Sequence, residues 1–339
     1  MRRPTKTSRL VAMLPLVAAL ALGGCSDQLG SSAPAPAPTR IEFVPKVRDL
    51  PYFEAMDRGG VEAAKQLGVA WHSTGPATVD PAAQVTILRD LIAKKVDVIV
   101  VAPNDPAALA GVIAEARAKG IHVLTSDTDA PGTQREVFVN QASAQGIGSA
   151  LVDALMAKTG GTGQYAIVSC GPAAANLNSW IAVQKKYTAQ KYPNMKISTV
   201  VYAGEDEAKA VSMAKDLMNA NPSLTGLVGE CTSSAPAVAK AVREANKIGK
   251  VFTVGLGTPQ AMKPYLADGS SSAAVLWDVE KLGYLTAWAG KQLAEGKSMA
   301  PDATLKQKIP TATYVPDQKM LLLGPALRIT KANVDKFNY

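Results

Sequence analysis

The sequence has few residues of the kinds that bind metals or carry out nucleophilic catalysis. Its 339 residues include three cysteines and two histidines, His72 and His122, without a CxxC or Cys/His ligand spacing. So few cysteine and histidine ligands, without the usual spacing, exclude a structural zinc site. GxSxG, HExxH and the phosphate-binding loop are absent, and the glycines of VGLGTP, from Val254, lack a phosphate-type spacing. The sequence therefore argues against an enzyme and against any bound metal or cofactor.

Long apolar runs are missing beyond the N-terminus, so no later segment is expected to cross a bilayer. Residues 1–24 carry four basic side chains, then an apolar run over residues 10–22, then two glycines before Cys25. That layout predicts a secretory signal. The letters LGGC resemble the bacterial lipobox, which predicts lipidation of Cys25 after cleavage. The alternative is a plain cleaved signal with an incidental cysteine.

The segment that follows has almost nothing to bury. Residues 25–39 are rich in Ser, Ala and Pro, which predicts an extended tether. Cleavage before Cys25 leaves 32 basic against 28 acidic residues, a net charge of +4, so nucleic acid is not an expected partner. We expect a protein outside the cytoplasm, held to the membrane by its lipid. A DNA-binding repressor is excluded, because the export signal occupies the place of its helix-turn-helix.

From Arg40 onward, short β-rich runs alternate with amphipathic stretches, which predicts parallel βαβ units. The alternation pauses near residues 139–146 and then restarts. We predict an α/β protein of two doubly wound parallel-sheet lobes, joined by three crossings of the chain that form a hinge. The expected boundaries are residues 40–141 plus 273–300 for the first lobe and 142–272 plus 301–339 for the second.

Several stretches resemble the type I periplasmic binding proteins, in the branch of the autoinducer-2 and rhamnose-type sugar receptors. They include FVPKVRDLPYFEAMDRGGVEAAKQLGV from Phe43, AAQVTILRDLIAKKVDVIVVAPNDPAAL from Ala82, VGLGTPQAMKPYLADG from Val254 and AVLWDVEKLGYLTAWA from Ala274. The likeness covers nearly all of residues 40–339. It implies a ligand cleft between the lobes, at the carboxyl ends of the sheet strands, where open α/β sheets generally bind ligands.

Polar residues at predicted strand ends are candidate ligand contacts. Lys46 matches a lysine that the family uses, and Asp127, at the end of VLTSD, can accept two hydroxyl hydrogen bonds. Asn104 can donate and accept, although NDP is also a common helix-entry sequence. Asp278 can bind a hydroxyl or cap the following helix. The resemblance adds aromatic positions that would cover the apolar faces of a sugar, with core packing as the alternative: Tyr52, Phe53, Trp180 and Trp277.

Other positions depart from the autoinducer-2 receptors. An Asp-Gln pair of that group is replaced here by Asn176 and Leu177, and a Pro and an Ala by Glu230 and Thr232. Asn176, Glu230 and Thr232 remain candidate ligand contacts with a different polar pattern. The departures therefore favour another ligand over autoinducer-2.

Cys170 and Cys231 end two predicted strands, YAIVSC and GLVGEC, that would be neighbours in a flavodoxin-like strand order. An oxidising compartment permits a disulfide between them. Because nothing in the sequence fixes their geometry, two unpaired buried thiols are the favoured interpretation.

The resemblance implies a monomeric solute-binding protein that captures a small sugar or sugar-like polyol by hinge closure, and the LGGC segment implies that it is lipid-anchored. It would then deliver the ligand to the permease of an ABC transporter. Two alternatives stay open: an autoinducer-2 receptor, and a sensor that presents its closed form to a chemoreceptor or membrane kinase. An enzyme using Asp127 and Glu230 as paired carboxylates is disfavoured, because no pattern places them face to face.

Overall fold

The computed structural model describes residues 37–339. The predicted signal, Cys25 and most of the predicted tether lie outside the described residues. No helix within residues 37–339 has both the length and the apolar character needed to cross a membrane.

The first half of the described chain alternates strands and helices, as predicted. In order, its elements are β1 (Arg40–Val44), α1 (Pro51–Leu67), β2 (Ala70–Ser73), α2 (Pro81–Ala93), β3 (Val98–Val101), α3 (Pro106–Ala118), β4 (His122–Ser126) and β5 (Val137–Asn140). Strand β3, VIVV, is buried along its whole length, as expected for a parallel strand covered by helices on both faces. The helix starts follow local chemistry. Asp80 caps α2 and Asp105 caps α3, each followed by a proline at the first helical position.

The second half repeats the alternation. Its elements are α4 (Ala144–Thr159), β6 (Gly163–Ser169), α5 (Ala175–Lys191), β7 (Met195–Tyr202), α6 (Glu207–Ala220), β8 (Leu224–Gly229), α7 (Ser234–Glu244), β9 (Phe252–Gly255), α8 (Pro259–Asp268) and β10 (Ala273–Leu276). The remaining elements are α9 (Val279–Ala294), α10 (Ala303–Lys308), β11 (Thr313–Val315), the 3-10 helix Pro316–Gln318, β12 (Met320–Leu322), β13 (Leu327–Ile329) and the 3-10 helix Val334–Lys336.

The strands form two sheets, one in each lobe. The first has the order β11-β12-β5-β4-β3-β1-β2 and the second β13-β10-β9-β8-β6-β7. All neighbours are parallel except the edge strands β11 and β13, which run antiparallel to β12 and β10. The fold is therefore two doubly wound α/β lobes. The chain passes between the sheets three times, at residues 141–143, 277–278 and 323–326.

The sheet topology corrects the expected boundaries in the last third of the chain. Strand β10 was expected in the first lobe but pairs with β9 in the second sheet. Strands β11 and β12 were expected in the second lobe but complete the first sheet, where β12 pairs with β5. Both assignments were wrong because the partner strand, not the local sequence, decides which sheet a short apolar strand joins.

Helix α9 returns to the first lobe after the second crossing and packs against α1. Gly59 and Gly283 permit this contact, since a Cβ at Gly59 would collide with the carbonyl oxygen of Glu280 and one at Gly283 with that of Met56. The two backbones therefore touch without intervening side chains, and this packing holds the second crossing close to α1.

Candidate functional site

Polar and aromatic side chains from both lobes surround one cavity where the carboxyl ends of the two sheets meet. Lys46 lies just beyond β1, Asp127 directly follows β4, Glu230 directly follows β8, and Trp277 directly follows β10. Parallel strands bring their carboxyl ends to one edge of a sheet, so residues far apart in sequence converge here. The start of α1 adds residues from the first lobe and the start of α5 from the second.

The cavity volume is about 40 Å³. Nine of the eleven predicted ligand contacts line it: Lys46, Tyr52, Phe53, Asp127, Asn176, Trp180, Glu230, Thr232 and Trp277. Residues that the sequence reasoning did not assign to the site complete the lining: Leu50, Leu177, Glu205, Cys231, Leu256 and Leu276. A volume this small admits a few water molecules, so a sugar-sized ligand must part the lobes to enter.

A network of hydrogen bonds joins the two lobes across this cavity. Lys46 Nζ donates to Asn176 Oδ1 over 2.9 Å and lies 3.3 Å from Asp127 Oδ2. Asn176 Nδ2 donates to the same Asp127 oxygen at 3.3 Å. Lys46 and Asp127 are buried, and both belong to the first lobe, whereas Asn176 belongs to α5 of the second. The charges of Lys46 and Asp127 therefore neutralise each other within the first lobe, and both side chains form hydrogen bonds to the second lobe.

The second oxygen of Asp127 accepts a hydrogen bond from one of a group of packed aromatic side chains. Tyr52 OH donates to Asp127 Oδ1 at 2.8 Å, and Trp277 Nε1 donates to Tyr52 OH at 3.1 Å. Burial, followed by the negative charge of Asp127, raises the pKa of Tyr52 well above its usual value. Trp277 also packs edge-on against Tyr52 and Trp180, with ring centroids 6.0 and 5.7 Å apart. The rings thus offer apolar surface beside a fixed hydrogen-bonding carboxylate.

Two further carboxylates face the cavity from the second lobe. Glu230 is fully buried, and burial raises its pKa to about 8, although hydrogen bonds from Gln184 oppose the shift. Glu205 lies three residues beyond β7, and burial raises its pKa as well, against a hydrogen bond from Ser233. Glu205 was missed in the sequence, although its place just after the β-rich run MKISTVVYA is the kind of position that identified Lys46 and Asp127.

Two predicted contacts lie outside the cavity lining. Asn104 is buried, and its Nδ2 donates to the backbone oxygen of Lys46 at 2.8 Å, so it supports the loop that presents that lysine. Asp278 caps α9 by accepting from the backbone N–H of Lys281, and it also pairs with the ammonium of that lysine at 3.1 Å. The capping alternative for Asp278 is therefore confirmed.

The two cysteines of the described residues are joined. Cys170, after β6, and Cys231, after β8, form a disulfide with their Cα atoms 6.1 Å apart. The expected pairing of β6 with β8 is confirmed and brings both residues to one edge. The favoured interpretation of two free thiols was wrong, because the sequence did not show that the two cysteines come within bonding distance there. A carboxylate oxygen of Glu205 lies with the two sulfurs, all within 4.8 Å of one another. Cys231 also lines the cavity, so the disulfide lies beside it.

Comparison with known proteins identifies the family. A family model described as a periplasmic binding protein domain matches residues 41–298. The chain belongs to this family. The resemblance noted in the sequence is confirmed. The two lobes described above agree with the fold of this family.

Individual relatives agree with this assignment. The D-ribose/D-allose-binding protein of Pseudomonas aeruginosa is 29% identical over 275 residues, which cover 76% of this chain and 84% of that protein. An ABC transporter solute-binding protein from Clostridium phytofermentas, solved with bound L-rhamnose, is 26% identical with a TM-score of 0.79, covering 88% of this chain and 98% of the other. LsrB from Clostridium saccharobutylicum, in complex with AI-2, is 22% identical with a TM-score of 0.80 over 88% of this chain and 100% of the other, a likeness of fold.

Proposed function

We propose that this protein binds a small hydroxyl-rich solute, a sugar or sugar-like polyol, between its lobes and delivers it unchanged to an ABC importer. One observation supports this proposal above the others: the carboxyl ends of both sheets meet at a single cavity. That cavity is lined by the buried Lys46–Asp127 pair and by the packed rings of Trp180 and Trp277, which we call the Trp180–Trp277 wall. Carboxylate and ammonium groups bind hydroxyls by charge-assisted hydrogen bonds, and indole rings cover the apolar face of a pyranose or furanose. The sugars named for the relatives support the same class of ligand.

Binding proceeds by hinge closure in this proposal. Opening at residues 141–143, 277–278 and 323–326 separates Asn176 from Lys46 and Asp127, which frees their hydrogen-bonding groups. The ligand then replaces the direct bonds between the lobes, and closure removes it from water. The permease would recognise the closed arrangement of the two lobes.

Attachment to the membrane is a further part of the proposal and depends on Cys25, which lies outside the described residues. A lipidated Cys25 and the Pro-rich segment after it would hold residues 40–339 beside the permease. Metabolic labelling with palmitate, compared between the natural sequence and Cys25→Ala, tests this. Labelling of the natural chain alone supports the anchor, and equal labelling of both contradicts it.

The ligand class is tested by a thermal-shift screen of the purified protein against pentoses, hexoses, deoxysugars, polyols and AI-2, followed by calorimetry. A ligand at 100 times its Kd stabilises the native state by about 2.7 kcal/mol, which raises the Tm. Binding of one or more of the sugars or polyols supports the proposal. A panel without a single binder contradicts it.

A further inference from the structure

The ionisable groups around the cavity are unevenly divided between the lobes. In the first lobe the ammonium of Lys46 offsets the carboxylate of Asp127 at 3.3 Å. The second lobe contributes Glu205 and Glu230. Among residues 37–339 neither of these two carboxylates forms an ion pair within 4.0 Å, and the charge of Lys46 only partly opposes the rise that burial causes in the pKa of Glu205. The cavity therefore has three acidic groups against one basic group, and the surplus lies on the side of the second lobe.

Glu230 retains unused capacity to accept hydrogen bonds. Its two oxygens accept from one donor, Gln184 Nε2, at 2.8 and 2.7 Å. A carboxylate has about four acceptor positions, and among the described residues no second donor bonds to the Glu230 carboxylate, which lines the cavity. The buried Oε1 of Gln184 has no hydrogen-bond partner in the part of the chain that the structure describes. The Gln184 amide therefore donates to Glu230 while its own oxygen stays without a hydrogen bond.

A buried carboxylate needs a compensating positive charge, because transfer of an uncompensated ion out of water is costly. A proton can supply the charge while the cavity holds water, and burial raises the pKa of both carboxylates accordingly. A neutral sugar would leave this arrangement unchanged. A ligand with its own cation would pair with the ionised carboxylates, and Trp180, whose indole ring can also attract a cation, lines the same cavity.

We propose that the ligand is an amine-bearing polyol, such as an amino sugar, whose ammonium group binds at the Glu230 and Glu205 end of the cavity. Its hydroxyls would then bind Lys46, Asp127 and Asn176, and its apolar face would lie on the Trp180–Trp277 wall. This inference rests on the proposed function and narrows its ligand class.

Matched ligand pairs test the inference by calorimetry on the purified full-length protein in detergent at pH 7. Each of D-glucosamine, D-galactosamine and D-mannosamine is compared with its neutral hexose and with its N-acetyl derivative, in which the amine carries no charge. We expect at least one amine to bind 10-fold or more tightly than both of its partners. Because Glu230 holds a proton at pH 7, binding should also release a proton, seen as a heat that varies with the ionisation enthalpy of the buffer.

The residue assignment is tested with Glu230→Gln, which keeps the shape of the side chain and removes its charge. We expect it to weaken binding of the amine 10-fold or more, to leave binding of the neutral hexose within threefold and to abolish the proton release. Glu205→Gln provides a second variant with the same expected direction. The matched control is Glu207→Gln, an exposed carboxylate of the same lobe that pairs with Lys240, and it should change neither affinity.

The outcomes separate this inference from the proposed function. If neutral sugars bind as tightly as their amines, or if Glu230→Gln affects both equally, the charge assignment is overturned while the sugar-binding function stands. If no member of any pair binds and the broader screen is also negative, the proposed function fails and the inference fails with it.

Discussion

Lys46 of the first lobe and Asn176 of the second are joined by a 2.9 Å hydrogen bond across the cavity. It is one of two bonds by which Asn176 meets the buried charged pair, the other reaching Asp127. Without a ligand, these bonds hold the lobes together directly. Ligand binding must therefore exchange them for contacts of at least equal strength.

Asn176→Ala should shift the unliganded protein toward an open form. The change removes both cross-lobe bonds of Asn176, and hydrogen bonds to charged groups contribute about 1.5–3 kcal/mol each. Small-angle scattering should report a larger radius of gyration for the unliganded variant. A matched change at Asn178, whose side chain bonds to the Pro172 carbonyl on its own lobe, should leave the radius unaltered. Equal radii for Asn176→Ala and the natural protein would contradict the bridging role.

Asp127→Ala should abolish ligand binding and also lower the stability of the unliganded protein. The substitution leaves Lys46 and Tyr52 buried without their shared partner, and breaking a buried ion pair by removing one side costs about 3–5 kcal/mol. Urea unfolding measures the stability, and the thermal-shift screen measures the loss of binding. An unchanged ligand-induced shift in the variant would remove Asp127 from the site.

Stability should depend on pH through Glu230. Its pKa is raised from 4.5 to about 8, so between these values the folded protein holds a proton that the unfolded chain has lost. The free energy of unfolding therefore falls as the pH rises from about 5 to about 8 and levels off above that range. Glu205, whose pKa is also raised, acts in the same direction. Urea titrations across this range should give a flatter profile for Glu230→Gln; a profile as steep as that of the natural protein would contradict the assignment.

The Cys170–Cys231 disulfide should be detectable and stabilising. Mass spectrometry of the unreduced, alkylated protein should find neither cysteine labelled, and reduction should expose both. Replacing both residues by Ala should lower the free energy of unfolding by about 2–4 kcal/mol, because the link constrains the unfolded chain. Alkylation of both residues without reduction would show that the thiols are free.

The contact between α1 and α9 should tolerate no added methyl group. Gly59→Ala or Gly283→Ala places a Cβ against the backbone of the opposite helix and should destabilise the first lobe by about 1–3 kcal/mol. Gly111, within α3, is the matched control, since a Cβ there meets no neighbouring atom. Gly111→Ala should be neutral or stabilising through helix propensity. Equal effects at all three positions would contradict the packing argument.

The repeating part of the fold was predictable because it depends on local patterns. Alternation of β-rich and amphipathic stretches indicated both lobes, and strand-end positions identified Lys46 and Asp127. The other seven predicted residues of the cavity, Glu230 among them, came from the comparison with the family that the sequence resembles. The last third of the chain was less predictable. Strand β12 pairs with β5 across some 180 residues, and no local signal in MLL specifies that partner.

The sequence also failed to predict the roles of some individual side chains, because these roles depend on contacts with other parts of the chain. Asn104 follows a strand end as Asp127 does, yet its amide donates to the backbone carbonyl of Lys46. That bond depends on where the loop after β1 lies, which the sequence does not show. Glu205 follows a strand by three residues, and the sequence alone does not show that this loop bends into the cavity. The disulfide was underestimated because the sequence predicted neighbouring strands but did not fix the separation and orientation of the two cysteines.

The placement of β11 and β12 has a consequence for biosynthesis. These strands leave the ribosome after every strand of the second sheet except β13, so the first sheet stays incomplete until late in synthesis, and β5 presents an unpaired edge until β12 arrives. Exposed edges invite pairing with other chains. The chain therefore carries this open edge while residues 141–319 are translated, and a truncation before residue 320 would leave the edge permanently open.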